Sequence, residues 1–153
     1  MGTSAEEVFD LFLSLNRDYR LDIIYNTSGS SGLNTFLEPW LLFSIDEFAV
    51  CDQSLEYSTA TQSFTETLTQ KNKNLLAELM IMFWLQQTVQ DVLQMNNFIT
   101  DRDFKIHSNA QNLTAKQKAY NDKRSEMSQK LVSYKLRDSG LWTSWWIQDF
   151  ENS

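Results

Sequence analysis

Few residues in this 153-residue chain could carry out acid–base or nucleophilic chemistry, since it has one histidine and one cysteine. His107 stands close to Asp101 and Asp103, an arrangement that would suit a general base oriented by a carboxylate. The local sequence favours a simpler role, because His107 directly precedes a predicted helix start at Ser108. Cys51 has no second cysteine with which to form a bridge, and no zinc-binding spacing can be written.

Other motifs of binding chemistry are incomplete. The run Asp101-x-Asp103 begins like a calcium-binding loop, but the glycine at its sixth position and the closing glutamate are missing. Four glycines leave no phosphate-cradling motif. Carboxylate pairs such as Glu6–Glu7 fall on predicted helix surfaces, where solvation explains them. The sequence therefore predicts a protein that is not an enzyme and that needs no metal or other cofactor.

Residues 140–153 hold three of the five tryptophans and follow a long polar stretch. Apolar area left in water costs roughly 25 cal/mol per Å², so this segment should be covered by protein. Two alternatives remain open: it packs back onto an apolar seam between Leu113 and Tyr134 of the same chain, or it anchors the chain to another protein. Tryptophan is enriched where binding energy concentrates. The candidate partner-binding residues are Leu141, Trp142, Trp145, Trp146, Ile147 and Phe150.

The spacing of apolar residues predicts the elements that precede this segment. A capping box formed by Ser4 and Glu7 opens a first helix that runs to about residue 16. Residues 18–25 form a short apolar patch of uncertain type, and residues 26–32 have the composition of a flexible surface loop. A second helix is expected to begin at residue 34 or 35 and to continue towards Cys51.

Residues 52–69 are rich in serine, threonine and glutamine, which predicts an extended loop or an irregular hairpin. Such an excursion in a small domain is often a binding loop. Its apolar residues Leu55, Tyr57 and Phe64 are candidate contacts to a neighbouring subunit or to the lumen of a ring. A third helix, capped by Thr69, is apolar nearly all round and should occupy the centre of the fold.

After the third helix, the sequence predicts a connector at 96–107 and a long helix from Ser108 to about Arg137. Its apolar seam repeats every seven residues, at Leu113, Tyr120, Met127 and Tyr134. The sum is an all-α protein: a four-helix bundle-like domain at 1–139 with a long C-terminal helix and a loop or hairpin around 52–69. Residues 140–153 follow as an aromatic C-terminal docking arm.

Charge is unevenly distributed along the chain, which has a net charge of −7. Residues 1–70 carry eleven acidic side chains against two arginines, whereas residues 71–139 carry eleven basic side chains against seven acidic ones. An acidic half and a basic half allow copies to pair head to tail, as subunits of a ring do. The sequence pI near 4.6 disfavours nucleic acid as a bound partner. No apolar run approaches the ~20 residues of a membrane span, so no membrane partner is expected.

Several segments of the chain follow one another in an order that is characteristic of a known kind of protein. A helix with the sequence EEVFDLFL at 6–13 is followed by the helix at 41–48, the excursion ending at 64–69 and the central apolar helix at 75–85. The most specific segment is DFKIHSNAQNL at 103–113, the approach to the long helix. This order, over roughly residues 5–138, resembles the head-to-tail connector (adaptor, or head-completion) proteins of tailed bacteriophages.

The resemblance implies a structural virion protein made in the cytoplasm of a bacterial host and placed in the neck of the phage. It implies a ring, usually dodecameric, that binds beneath the portal protein and offers a surface to the next neck or tail component. Genomic DNA would pass through this ring without sequence-specific binding. The alternative from a different class is a soluble helical adaptor or regulatory module that binds one partner protein through its aromatic arm.

Overall fold

A computed structural model describes the backbone of residues 1–98 and 103–138, and the side chains of residues 1–94 and 110–137. In this part of the chain the all-α class is confirmed, since four helices account for nearly all regular structure. The helices are α1 (Ala5–Leu15), α2 (Tyr19–Glu47), α3 (Gln70–Phe98) and α4 (Asp103–Asp138). Two short strands, β1 (Tyr57–Ser58) and β2 (Ser63–Phe64), lie between α2 and α3.

Helix α1 begins where the capping box predicts. The hydroxyl oxygen of Ser4 accepts a hydrogen bond from the backbone N–H of Glu6, at 3.3 Å, which satisfies one free donor of the first turn. The inward face buries Val8, Phe9 and Phe12 completely. Burial of this stripe orients α1 against the centre of the fold.

The 52–69 excursion contains an antiparallel hairpin, which pairs Tyr57 with Phe64 and Ser58 with Ser63. The residues before α1 extend it as a third, irregular strand. The backbone N–H of Phe64 donates to the carbonyl of Thr3 at 2.8 Å, and Thr3 N–H donates to the carbonyl of Glu66 at 3.0 Å. The hairpin is therefore fixed to the start of α1 and belongs to the packed domain.

Helix α2 corrects two predictions. It begins at Tyr19, some fifteen residues before the expected start, and it includes the Gly- and Ser-rich stretch 26–32 that was expected to be a loop. One hydroxyl group of this stretch bonds to the helix itself, since Thr27 Oγ1 donates to the carbonyl of Ile23 at 2.7 Å. The helix is broken only at Gly29, which has φ 68° and ψ −171°. Two helical segments joined at a glycine thus replace the predicted loop.

Replacing Gly29 by alanine should destabilise the protein by about 1–3 kcal/mol, because this backbone conformation is essentially restricted to glycine. The strain is conformational, since no atom lies within 4 Å of the position a Cβ would take. Urea unfolding followed by circular dichroism measures the change. Ser30→Ala at the next exposed position is the matched control and should be close to neutral. Equal stability of both variants would contradict a strained Gly29.

Helices α3 and α4 are longer than predicted. Residues 96–98 belong to α3 and residues 103–107 belong to α4, so most of the predicted connector is helical and Ser108 lies inside α4 instead of capping it. Ile106 stands seven residues before Leu113 and continues the apolar repeat, which explains the earlier start. The seam itself is confirmed at its C-terminal end, where Met127 and Tyr134 are buried.

Helix α3 is the centre of the fold, and each of the other three helices packs against it. Lys73 forms an ion pair with Glu7 of α1 at 2.8 Å, whereas Lys71 Nζ lies 4.1 Å from the ring centroid of Tyr134 in α4. Residues two positions apart in an α-helix, such as these lysines, point in directions about 200° apart around the helix axis. Further along, Phe83 packs on Phe43 of α2. Helix α4 therefore lies on the opposite side of α3 from α1, whereas the C-terminal end of α2 reaches α4 through Phe48, whose ring centroid is 5.1 Å from that of Tyr134.

Candidate functional site

The outer surface of α1 and α2 is acidic. Glu6 and Asp10 stand one turn apart on the face of α1 that points away from the core, and Asp46 and Glu47 lie at the end of α2. All four side chains are exposed, and none forms an ion pair within the described residues. These unneutralised carboxylates give this side of the molecule a negative potential.

The outer surface of α4 is basic. This helix carries eight basic side chains against four acidic ones. Lys118, Arg124 and Lys135 are exposed, and none has an ion-pair partner in the part of the chain that the structure describes. Val132, 59% exposed, lies on the same side of the helix as Arg124 and Lys135. The surface therefore combines free positive charge with an exposed apolar side chain, as a protein-binding surface does.

Two other lysines of α4 hold it on α3. Lys123 Nζ lies 3.1 Å from a carboxylate oxygen of Glu78 in α3, and Lys130 pairs with the same oxygen. Glu126 completes the cluster at 2.8 Å from Lys130 Nζ. Burial opposes the charge of Lys130, but hydrogen bonds to Glu126 and Glu78 outweigh it and raise the pKa of this lysine. The acidic partners thus neutralise these lysines, and only the outward cations remain free.

A groove of about 700 Å³ runs between α3 and α4 beside this cluster. Its apolar part is formed by Leu75 and Tyr134, which are 7% and 4% exposed. Three basic side chains line it: Lys71, Lys130 and Arg137. The groove reaches Arg137, next to the end of α4 at Asp138. Glu78 and Glu126 also line the groove and pair with Lys130, so Lys71 and Arg137 are its cations without an ion pair among the described residues.

A polar cluster closes the same end of the molecule and ties α4 to α3. The Tyr134 hydroxyl donates to Asp52 Oδ1 and lies 2.8 Å from Asn72 Oδ1. The Asn72 amide nitrogen donates to Asp52 Oδ1 at 2.9 Å and to Gln53 Oε1 at 2.8 Å. Hydrogen bonds from Tyr134 and then from Asn72 lower the pKa of Asp52. Burial and the bond to Asp52 raise the pKa of Tyr134 well above its ordinary value.

The candidate residues of the hairpin are placed mostly in the core. Phe64 is 2% exposed and Leu55 is half-buried against the core. Tyr57 is half-buried too, and its hydroxyl donates to Glu38 Oε1 of α2 at 2.9 Å. Burial, and then this bond to a carboxylate, raises the pKa of Tyr57. Their contact with a neighbour or a lumen stays a prediction.

Other candidate residues are distributed as follows. The six residues of the arm lie outside the described residues, as does the side chain of His107. Cys51 is half-buried beside Tyr134, and its burial raises the pKa of the thiol. Sequence reasoning missed Asn72, because an asparagine in the first turn of a helix has the pattern of a solvated residue. The nearest signal was the capping residue Thr69, whose hydroxyl does accept from Asn72 N–H at 3.3 Å.

Among the side chains of the described residues, no group of three or more histidine, cysteine, aspartate or glutamate residues is placed to hold a metal ion. None of the helices in the described part is both long and apolar enough to cross a membrane. The candidate site is therefore a set of surfaces: the acidic face of α1 (Glu6, Asp10), the basic face of α4 (Lys118, Arg124, Lys135) and the α3–α4 groove.

Comparison with family models, with curated proteins and with solved structures finds no match for this chain. Function is therefore inferred from the arrangement of its own residues and from the order of its sequence motifs.

Proposed function

We propose that this chain is a structural, non-enzymatic protein of the neck of a tailed bacteriophage. Its copies form a ring beneath the portal that joins the DNA-filled head to the tail. The observation that carries the proposal is that α1, with the exposed carboxylates Glu6 and Asp10, and α4, with its exposed cations, lie on opposite sides of α3. A subunit with complementary faces on opposite sides binds copies head to tail, and such contacts close into a ring when the rotation between neighbours permits.

The resemblance to connector proteins assigns this ring to the neck of the virion. In that setting residues 1–139 are a helical bundle-like connector domain and residues 140–153 a docking arm. The portal, or a neighbouring subunit, receives the large apolar residues of the arm: Leu141, Trp142, Trp145, Trp146, Ile147 and Phe150. The ring, usually dodecameric in such proteins, presents a surface to the next neck component. Surplus negative charge lets DNA pass without being retained.

A helical adaptor that binds one partner protein through the same arm is the second candidate. The corner between α1 and α2 favours it, because Leu15 at the end of α1 and Tyr19 and Ile23, four residues apart in α2, expose 59%, 76% and 47% of their surface. A single partner helix would cover such a stripe. The two candidates differ in self-association, which the adaptor does not require.

Charge reversal on one face should abolish self-association. In Arg124→Glu/Lys135→Glu both faces are acidic, and in Glu6→Lys/Asp10→Lys both are basic. Like charges across an interface repel, so each variant alone should remain monomeric where the natural chain assembles. Sedimentation velocity at low ionic strength measures this. At ~1 M salt the assembly of the natural chain should dissociate, since screening shortens the electrostatic range to roughly 3 Å.

Mixing the two variants is the sharper experiment. An acidic–acidic subunit and a basic–basic subunit complement each other, so an equimolar mixture should assemble with the two alternating. Asp22→Lys changes an exposed acid at the α1–α2 corner, away from Glu6 and Asp10, and is the matched control. If the mixture stays monomeric where the natural chain assembles, the two faces are not the contact. A natural chain that is monomeric at all concentrations contradicts the ring and favours the adaptor.

A further inference from the structure

Most of the apolar seam of α4 is covered by the core at its C-terminal end. Met127 and Tyr134 are 1% and 4% exposed because α3 covers them, and Tyr120 and Leu131 pack against the same core. An arm packed on the Leu113–Tyr134 seam, one alternative left open by the sequence, could therefore reach the C-terminal end of that seam only at the edge of Tyr134 that lines the α3–α4 groove. This groove extends to Arg137, next to the end of α4.

We infer that the α3–α4 groove is the docking site for residues 139–153 of the same chain. The first argument is position, because the groove is lined by Arg137 and the segment begins two residues later. Ser139 and Gly140 provide the residue type that lets a chain reverse after a helix, so the segment can turn back along α4. Fifteen extended residues span up to ~50 Å. The groove extends roughly 16 Å along α4, from Glu126 to Arg137.

The chemistry of the segment complements that of the groove. The segment carries six large apolar side chains, has the acids Asp149 and Glu151 on either side of the last of them, and has no basic residue. The groove offers the cations Lys71 and Arg137 beside the edge of the Tyr134 ring, whereas Lys130 is paired with Glu78 and Glu126. Lys71 already lies over the ring of Tyr134, at 4.1 Å, so these cations favour further aromatic rings. Tryptophan rings fit this surface, and the two carboxylates meet cations.

Docking within one chain has a consequence for binding in trans. A partner that takes up the arm must displace it from the groove, so the arm is masked in the free chain and released on binding. Masking also limits the aggregation that exposed tryptophans would cause. This inference does not rest on the proposed neck function, because it concerns the isolated full-length chain.

A bimane label in the groove tests the inference, because a nearby tryptophan ring quenches bimane fluorescence. Ser133 lines the groove and is exposed, so Ser133→Cys in a Cys51→Ser background places the label there. Ser128→Cys is the matched control, on an exposed part of α4 that does not line the groove. We expect a loss of fluorescence at residue 133 and none at 128. Trp142→Phe/Trp145→Phe/Trp146→Phe should restore it.

Lys71 and Arg137 provide a second readout. Lys71→Glu/Arg137→Glu changes two exposed residues and should restore much of the fluorescence of the label at residue 133 with unchanged circular dichroism. Equal fluorescence with and without the three arm tryptophans would overturn the inference. Quenching that grows with protein concentration would also overturn it. So would quenching when a labelled chain without arm tryptophans is mixed with unlabelled natural chain, since both results mean docking between chains.

Discussion

Replacing Trp84 by alanine should lower the free energy of unfolding by about 3–5 kcal/mol, the usual cost of truncating a buried aromatic residue. Trp84 is 4% exposed and lies where α1, α2 and α3 meet. Its ring centroid is 6.1 Å from that of Phe12 in α1 and 5.2 Å from that of Trp40 in α2. A domain of this size is stable by about 5–15 kcal/mol, so this substitution removes a large fraction.

Trp84 also supports a polar network at the corner between α1 and α2. Its indole N–H donates to Asp18 Oδ2 at 3.0 Å, and the Arg20 guanidinium lies 5.0 Å from its ring centroid. Burial alone would raise the pKa of Asp18, but hydrogen bonds from Arg20 and Trp84 outweigh it and lower the pKa. Arg20 also pairs with Asp91 of α3 at 3.0 Å. Removal of the indole therefore loosens α2 from α3 as well as leaving a cavity.

Two control variants separate the contribution of the indole N–H from that of the buried ring. Trp84→Phe keeps a ring in place and loses the N–H donor, so its cost should be smaller than that of Trp84→Ala, with about 1 kcal/mol from the hydrogen bond. Phe43 is an aromatic residue of α2 that is 55% exposed and contacts Phe83, and Phe43→Ala should cost about 1 kcal/mol. Urea unfolding followed by circular dichroism measures all three. Equal losses for Trp84→Ala and Phe43→Ala would mean that Trp84 does not join the three helices.

The sequence predicts the elements of this fold where apolar spacing and capping agree. Helix α1 shows both signals, and its Ser4 cap lies where it was expected. The seam of α4 was visible because a seven-residue repeat requires a partner helix along one face. The hairpin was predicted as an irregular excursion, but its pairing with Thr3 depends on contacts between residues more than sixty positions apart. Such contacts leave no local pattern.

The prediction from composition is wrong where the same residue types occur in loops and in helices. The stretch 26–32 contains serine, threonine and glycine, which are typical of loops. In α2 a hydroxyl group of this stretch bonds to the carbonyl four residues earlier, from Thr27 to Ile23 at 2.7 Å. The opposite charges of the two halves of the chain were predictable. The placement of α1 and α4 on opposite sides of α3 was not, because it depends on which face of α3 each helix covers.

Replacing Asn72 by aspartate should destabilise the protein by at least ~3 kcal/mol near neutral pH, since a buried group that loses its partners costs about 1–3 kcal/mol, and more when it is charged. Asn72 is 1% exposed, and its amide nitrogen is the donor to both Asp52 and Gln53. The substitution keeps the shape of the side chain but places a carboxylate 2.9 Å from Asp52 Oδ1. Two carboxylates at this distance cannot both be ionised without strong repulsion.

The pH dependence of the free energy of unfolding identifies the cause of the destabilisation in Asn72→Asp. Burial and the neighbouring Asp52 raise the folded pKa of the introduced carboxyl group, so its stabilising contribution is present below the ordinary value of about 3.9 and is lost as pH rises through the folded pKa. The deficit relative to the natural chain should therefore shrink on acidification from pH 7 towards pH 4. In the natural chain the pKa of Asp52 is lowered, so its contribution is lost only at lower pH. Asn72→Ala removes the same donor without adding charge, and its deficit should stay nearly constant over that range. Parallel pH profiles of the two variants would show that charge repulsion at Asp52 is not the cause.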